Sequence, residues 1–288
     1  MKEKIIFSFI IPAHNEEDVI DKCLNSIKEQ EFQNKFETIV INDGSTDKTK
    51  NIVENFSDTK LLNLNKGHSA AFARNRGAEI AKGKYLIFLD ADQIIEKDFV
   101  IKFLDLIKEE VDGTRFWIRP YRPITIFQKS WAAYRKVNLC GALIIRKKIF
   151  EKLKYDENLF YVEDDDIFDR FTESGYRLKK SNLFADHIDP KTFDDFFRQR
   201  KWQGKGLALK IFKLKKFRCF RYFIPCTILP LMFIGWYIPF LYLLIFWAYF
   251  SLKSKQLINS FLWATLDTLG RFIALYYFVT NSLNLKKC

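Results

Sequence analysis

The sequence is short of residues that build covalent or zinc-stapled frameworks. Its 288 residues include five cysteines, at positions 23, 140, 219, 226 and 288. They are odd in number and scattered, with no C-x-x-C pair among them. This excludes a disulfide framework and a thiolate zinc site, and it suits a reducing compartment. The N-terminal stretch is not expected to serve as a signal peptide. The opening M-K-E-K-I-I-F-S-F-I-I-P has too short an apolar run, and Pro12 breaks it. No internal repeat or low-complexity segment occurs. Asp and Glu are missing altogether from Arg198 to Arg221, a stretch with ten Lys or Arg that supplies most of the net charge of +12. Charge of either sign then disappears from Tyr222 to Leu252, 31 residues in all.

The stretch K-Y-L-I-F-L-D-A-D, Lys84 to Asp92, organises what is present. Tyr85 to Leu89 form an apolar run that predicts a strand buried on both faces. It ends in Asp90-Ala91-Asp92. Two carboxylates at the end of a buried strand are costly unless something pairs with them, and a hard divalent cation that also binds phosphate would do so.

Upstream, Ile5 to Ile11 reads as a strand, followed by Pro12-Ala13-His14-Asn15-Glu16-Glu17 and an amphipathic helix with Asn15 or Asp18 as its N-cap. Phe36 to Ile41 is a second strand, running into the turn Asn42-Asp43-Gly44-Ser45-Thr46-Asp47. Lys60 to Leu64 is a third strand and Ala70 to Ala81 a helix. Strand–helix alternation with short loops predicts a right-handed, mostly parallel sheet. Such sheets bind ligands outside the carboxyl ends of their strands, where His14, Glu16, Asp43, Asp90 and Asp92 converge. Further on, a helix is expected near Lys97 to Lys108. Strands are expected at Thr114 to Arg119, Cys140 to Arg146 and Leu178 to His187, with a short helix at Lys147 to Leu153. The run Glu163-Asp164-Asp165-Asp166 opens another helix, where acids suit the dipole and crowding raises their proton affinity if they are enclosed.

Taken in order, F-I-I-P-A-H-N-E-E, V-I-N-D-G-S-T-D-K-T, A-R-N-R-G, F-L-D-A-D and E-D-D-D-I-F-D-R-F-T-E-S-G-Y resemble the family 2 glycosyltransferases over about residues 5 to 205. The resemblance implies the GT-A fold, an α/β fold with a mixed, mostly parallel sheet, and inverting transfer from a nucleotide-sugar donor. It places Pro12, His14 and Glu16 at the base and ribose, Asp43 on the base, Arg74 near the phosphates and Asp90 near the ribose. It places Asp92 on Mg²⁺ or Mn²⁺, with His187 completing the metal site. It makes Asp164 the general base, with Glu163 its neighbour. Processive synthases of the family carry Q-x-x-R-W. Here Arg198-Gln199-Arg200-Lys201-Trp202 lacks that spacing, which counts against processive synthesis.

The basic run before an apolar span points to an anionic lipid surface rather than nucleic acid, since no nucleic-acid module is present. The uncharged run exceeds the roughly 20 residues needed to span a bilayer. It is interrupted by Pro225, Pro230, Gly235 and Pro239, so one span or a re-entrant hairpin both fit. A second apolar stretch, Leu257 to Leu285, contains Asp267 and Arg271, which can pair across one helical turn. The expected organisation is a catalytic domain over 1–205, a basic linker over 206–221 and membrane-embedded helices over 222–285. The catalytic domain would face the cytoplasm at the cell membrane, with a lipid-linked or surface-glycan acceptor. The rivals are a polyprenyl-phosphate glycosyl synthase, a non-catalytic membrane scaffold and a nucleotidyltransferase. The last would need a glycine-rich loop after the first strand, and P-A-H-N-E is not one.

Overall fold

The computed structural model describes residues 5–32, 35–123, 128–129, 140–159, 163–188 and 247–248. The chain divides into two compact units. The first comprises Met1–Tyr121, Cys140–Asn158 and Glu163–Ile188, and it contains every candidate site residue named above. The second comprises Arg122–Leu139, Leu159–Val162 and Asp189–Cys288, of which little is described. The basic run, the R-Q-R-K-W segment, the expected boundary at residue 205 and both apolar stretches, save residues 247–248 of the first, lie outside the described residues. Among the described residues no helix is long and apolar enough to cross a membrane.

Within the first unit, β1 (Phe7–Ala13), α1 (Ile20–Lys28), β2 (Phe36–Asp43), α2 (Thr49–Glu54), β3 (Thr59–Leu64), α3 (Ala70–Ile80) and β4 (Tyr85–Phe88) follow one another. The four strands are parallel, in the order β3-β2-β1-β4. Next come β5 (Gln93–Ile95), α4 (Phe99–Leu106), β6 (Gly113–Pro120), β7 (Cys140–Arg146), α5 (Lys147–Leu153), α6 (Glu163–Glu173), β8 (Leu178–Lys179) and β9 (Phe184–His187). These extend the sheet as β7-β6-β9-β5 and make it mixed, because β7 runs antiparallel to both β4 and β6. The expected GT-A-like α/β architecture is therefore present.

β1 and β4 are buried on both faces, as their apolar runs require. One face of the sheet packs a phenylalanine cluster, with Phe7, Phe9, Phe36, Phe99, Phe103 and Phe116 in edge-to-face and stacked pairs. The other face packs α3, α5 and α6 through Ile10, Ile41, Leu86, Phe88, Ile145, Phe150 and Phe171. Gly77 of α3 rests on that face. A Cβ there would meet Ile10 and Ile41 at 2.6 Å, so only glycine lets α3 approach this closely.

Three local expectations are corrected. The first strand runs through Pro12 to Ala13 instead of stopping at Ile11. Proline is tolerated because the β1–β4 pairing has already ended at Ile10–Phe88, so no donor is needed on that side. Neither Asn15 nor Asp18 caps α1, whose N-cap is Val19 without a side-chain bond. Asn15 instead adopts φ +57°, donates its backbone N–H to Ser45 Oγ at 3.0 Å and accepts from Thr46 N at 2.8 Å. Finally, Leu178 to His187 is not one strand. β8 and β9 both pair in parallel with β6, but their registers differ by two residues, so residues 180–183 loop out between them.

Candidate active site

β1 and β4 part beyond Ile10 and Phe88, and a cleft of about 310 Å³ opens at the carboxyl ends of the strands. All six residues expected on the donor side line it, and so does Asp92. The sheet topology brings them together: Pro12 lies near the end of β1 and His14 follows it, Asp43 ends β2, Arg74 lies on α3, and Asp90 and Asp92 follow β4.

At one end, His14 Nδ1 donates to the Asp43 carbonyl oxygen at 2.7 Å. Both Asp43 carboxylate oxygens are engaged by a single residue, His68. Its backbone N–H donates to Oδ2 at 2.8 Å and its Nδ1 to Oδ1 at 2.9 Å. The expectation that Asp43 stands ready for a nucleotide base is thus modified. Each oxygen has one acceptor site committed to His68, and only the remaining lone pairs can meet a ligand. The turn after Asp43 depends on Gly44, which has φ +69°; a Cβ there would sit 2.6 Å from Gly67 N.

The centre of the site is Arg74, whose side chain is only 5% exposed. One guanidinium nitrogen donates to Asp90 Oδ1 at 2.7 Å, and the other donates to Glu163 Oε1 at 2.9 Å. The second nitrogen also lies 3.6 Å from Asp164 Oδ1. Arg74 therefore joins the strand-end carboxylates to the acidic helix through the planar fork that distinguishes Arg from Lys. Burial lowers its proton affinity, but Asp164 and Asp90 more than offset this, and the guanidinium stays charged. Arg74 Nε and Glu163 Oε2 are buried without a hydrogen-bond partner. A network that leaves two buried polar atoms unsatisfied adds little to stability, which favours a functional reason for its presence.

Asp164 is pushed up to about 6, chiefly by desolvation, then by repulsion from Glu163 and Asp90, while Arg74 and the Tyr155 hydroxyl pull it down. Protein atoms crowd the carboxylate, yet its side chain remains 57% exposed. Water that reaches it moderates the desolvation, and the direction is upward.

At the far end of the cleft, β5 pairs antiparallel with β9, matching Gln93 to His187. This places His187 Nε2 3.1 Å from Asp92 Oδ2, and Ile188 N donates to the Asp92 carbonyl at 2.9 Å. Glu16 is pushed up to about 8, first by burial and then by the negative charges of Asp92, Asp90 and Asp47. Among the described residues no group of three or more His, Cys, Asp or Glu side chains is gathered as a metal cage. One carboxylate and one imidazole nevertheless fit a divalent ion that keeps waters and takes other ligands from substrate phosphates. The carboxylate crowding around Glu16 fits a cation as well.

The family model for glycosyl transferase family 2 matches residues 8–172. The chain belongs to that family. As a family 2 glycosyltransferase it is 28% identical over 202 residues to the amylovoran biosynthesis glycosyltransferase AmsB of Erwinia amylovora, a match covering 60% of this chain. The chain spans between 31% and 66% of the length of the curated relatives it matches first. Among solved structures it is similar to the mannosyltransferase PcManGT from Pyrobaculum calidifontis in complex with GDP-Man and Mn²⁺, with TM-score 0.66 and 18% identity over 96% of this chain and 88% of that one. It is also similar to S. aureus TarS 1-349 in complex with UDP-GlcNAc, with TM-score 0.51 and 20% identity over 98% of this chain and 92% of that one. At these identities the two structures speak for the fold.

His68, Asn75 and Tyr155 also belong to the site and were not singled out from the sequence. Asn75 was in view inside A-R-N-R-G. Its side-chain amide accepts from Tyr155 N and donates to Tyr155 O, both at 3.0 Å. Tyr155 and His68 lie in connecting segments whose local pattern carries no signal of what they touch.

Proposed function

We propose that the chain transfers a sugar from a nucleotide-sugar donor to a hydroxyl of a lipid-linked or surface-glycan acceptor, with inversion, aided by Mg²⁺ or Mn²⁺. The observation that carries this reading is Asp164, an accessible carboxylate raised to about 6 and tied through Arg74 to Asp90. A general base works best with proton affinity near the operating pH. A phosphate acceptor needs no deprotonation, so Asp164 favours a hydroxyl acceptor over a polyprenyl phosphate. GDP-Man and UDP-GlcNAc in the related structures support a nucleotide-sugar donor. The amylovoran role in the name of AmsB supports a glycan acceptor.

In this mechanism His14 and Asp43 flank the base, with Pro12 and Glu16 toward the ribose. Asp90 orients the sugar side of the nucleotide, fixed by Arg74 and by Gln93 Nε2, which donates to its Oδ2 at 2.9 Å. Asp164 removes the acceptor proton from the face opposite the leaving group, so the anomeric carbon inverts. Arg74 keeps Asp164 ionised between turnovers. Glu163, buried against Arg74, aligns the pair. Asp92 and His187 would hold the divalent ion, which when bound supplies positive charge to the departing diphosphate. The segment from residue 206 onward would attach the enzyme to the cytoplasmic face of the cell membrane, where its acceptor is presented.

The test is a donor screen on the full chain in detergent with Mn²⁺ and native lipid extract, scoring nucleoside diphosphate release. The expected result is turnover of one donor class, abolished by excess chelator. Absence of turnover with every donor would overturn the reading; full activity in chelator would remove the metal from it.

A further inference from the structure

Tyr155 is buried between α5 and α6, beside the candidate base. Its ring packs against Phe88 at 5.1 Å and Phe150 at 5.7 Å, and the Arg74 guanidinium lies 5.3 Å above it. Asn75 grips its backbone from both sides, and Asn75 Nδ2 also donates to Glu157 Oε1 at 2.9 Å. The phenol is therefore fixed at both ends. Its hydroxyl donates to Asp164 Oδ1 at 3.1 Å.

The contacts from Tyr155 and Arg74 both fall on Oδ1 of Asp164. Oδ2 is outside both contacts, so it offers the acceptor more free lone-pair capacity for proton abstraction than Oδ1 does. A phenylalanine at position 155 would fill the same space, so packing alone gives no reason for the hydroxyl. We propose that Tyr155 is a positioning residue for transfer, which through its hydroxyl fixes the Asp164 carboxylate by Oδ1 and leaves Oδ2 to the acceptor. Adjacent residues of α3 would then serve the base together. Arg74 supplies the charge, and Asn75 fixes the backbone of the residue that orients the carboxylate.

A hydrogen bond donated to a carboxylate favours its charged form. The charged and titratable groups facing Asp164 are Arg74 from α3, Glu163 beside it on α6, Asp90 from the turn after β4, and Tyr155. Of these, Tyr155→Phe alters only the last, and it keeps the ring under Arg74. The hydroxyl contributes in the same direction as Arg74, so its loss raises Asp164.

This inference rests on Asp164 being the base, and the experiment separates the two claims. Transfer rates of wild type, Tyr155→Phe and Asp164→Asn are measured from pH 5.5 to 9, together with donor affinity and thermal stability. In Tyr155→Phe the acid limb of the rate profile is expected to move up by about one pH unit, giving roughly fivefold loss at pH 6 and near-normal rates at pH 8.5. Donor affinity is expected to stay unchanged. A purely structural role would lower the rate equally at every pH; that result, or an unmoved acid limb, overturns the proposal while Asp164→Asn is inactive. An active Asp164→Asn overturns the base assignment itself, and this inference with it.

Discussion

Replacing Arg74 with Met should expose how strongly the site depends on one buried cation. Arg74 faces three carboxylates of unequal exposure: Asp164 at 57%, Asp90 at 43% and Glu163 at 9%. Breaking a buried ion pair from one side costs about 3–5 kcal/mol, because the remaining charge is stranded. Water can re-solvate Asp164 and Asp90, so the full penalty falls on Glu163 alone. The expected loss is thus at the low end, about 3 kcal/mol, or roughly 6–12 °C in Tm for a domain of this size. The deficit has a sign in pH. Arg74 is the main cause that lowers Asp164, so its removal raises Asp164 further above its unfolded value. An acid whose folded pKa is raised loses stability as pH rises. The variant should therefore lie closest to wild type near pH 5 and furthest near pH 8. Arg74→Lys restores charge but not the fork, so it should recover much of the Tm with little of the transfer rate. Thermal unfolding at pH 5, 6.5 and 8, with nucleoside diphosphate release alongside, measures all of this. A Met variant with wild-type Tm at pH 8 would refute the reasoning.

Three further outcomes follow from other parts of the molecule. Glu16, raised to about 8, must take up a proton on folding at any pH between its unfolded value and that figure, so Glu16→Gln should stabilise the protein in chelator at pH 7.5 by about 1–3 kcal/mol and not at pH 4; a variant with wild-type Tm at both pH values would contradict the crowding. Gly44→Ala should destabilise by about 1–3 kcal/mol and weaken donor binding, because both its φ of +69° and the contact with Gly67 forbid a Cβ; calorimetry and donor titration check this. The full chain should sediment with anionic vesicles, and truncation near residue 205 should release it; a full-length chain that purifies without detergent and ignores such vesicles would end the membrane proposal.

The donor side was legible because its signals are local. A buried apolar run ending in Asp90-Ala91-Asp92 fixes both a strand and the rim it points to, and strand–helix alternation puts His14, Asp43 and Asp90 on the same rim. The neighbourhood of His187 was less so. Its approach to Asp92 depends on β5, three residues long, pairing with β9 across almost a hundred positions of sequence. Neither strand has a pattern long enough to show periodicity. Arg74 was placed near the nucleotide phosphates by resemblance. Its grip on Glu163 arises from the packing of α3 and α6 on one sheet face, which no local spacing encodes. The same holds for Asp43, whose partner His68 comes from the loop after β3. The end of β1 at Ala13 is not legible either, since Pro12 is tolerated there only because the pairing with β4 has already ended at Ile10.

Whether Asp164 deprotonates the acceptor is decided by one paired measurement on Asp164→Asn. Donor affinity is read by titration with the nucleotide sugar, and transfer by product formation at saturating donor and acceptor. The predicted result is donor affinity within about twofold of wild type and a transfer rate lower by about 10²–10⁴. A variant that transfers at close to the wild-type rate would contradict the account and shift the reaction to an acceptor that arrives already ionised.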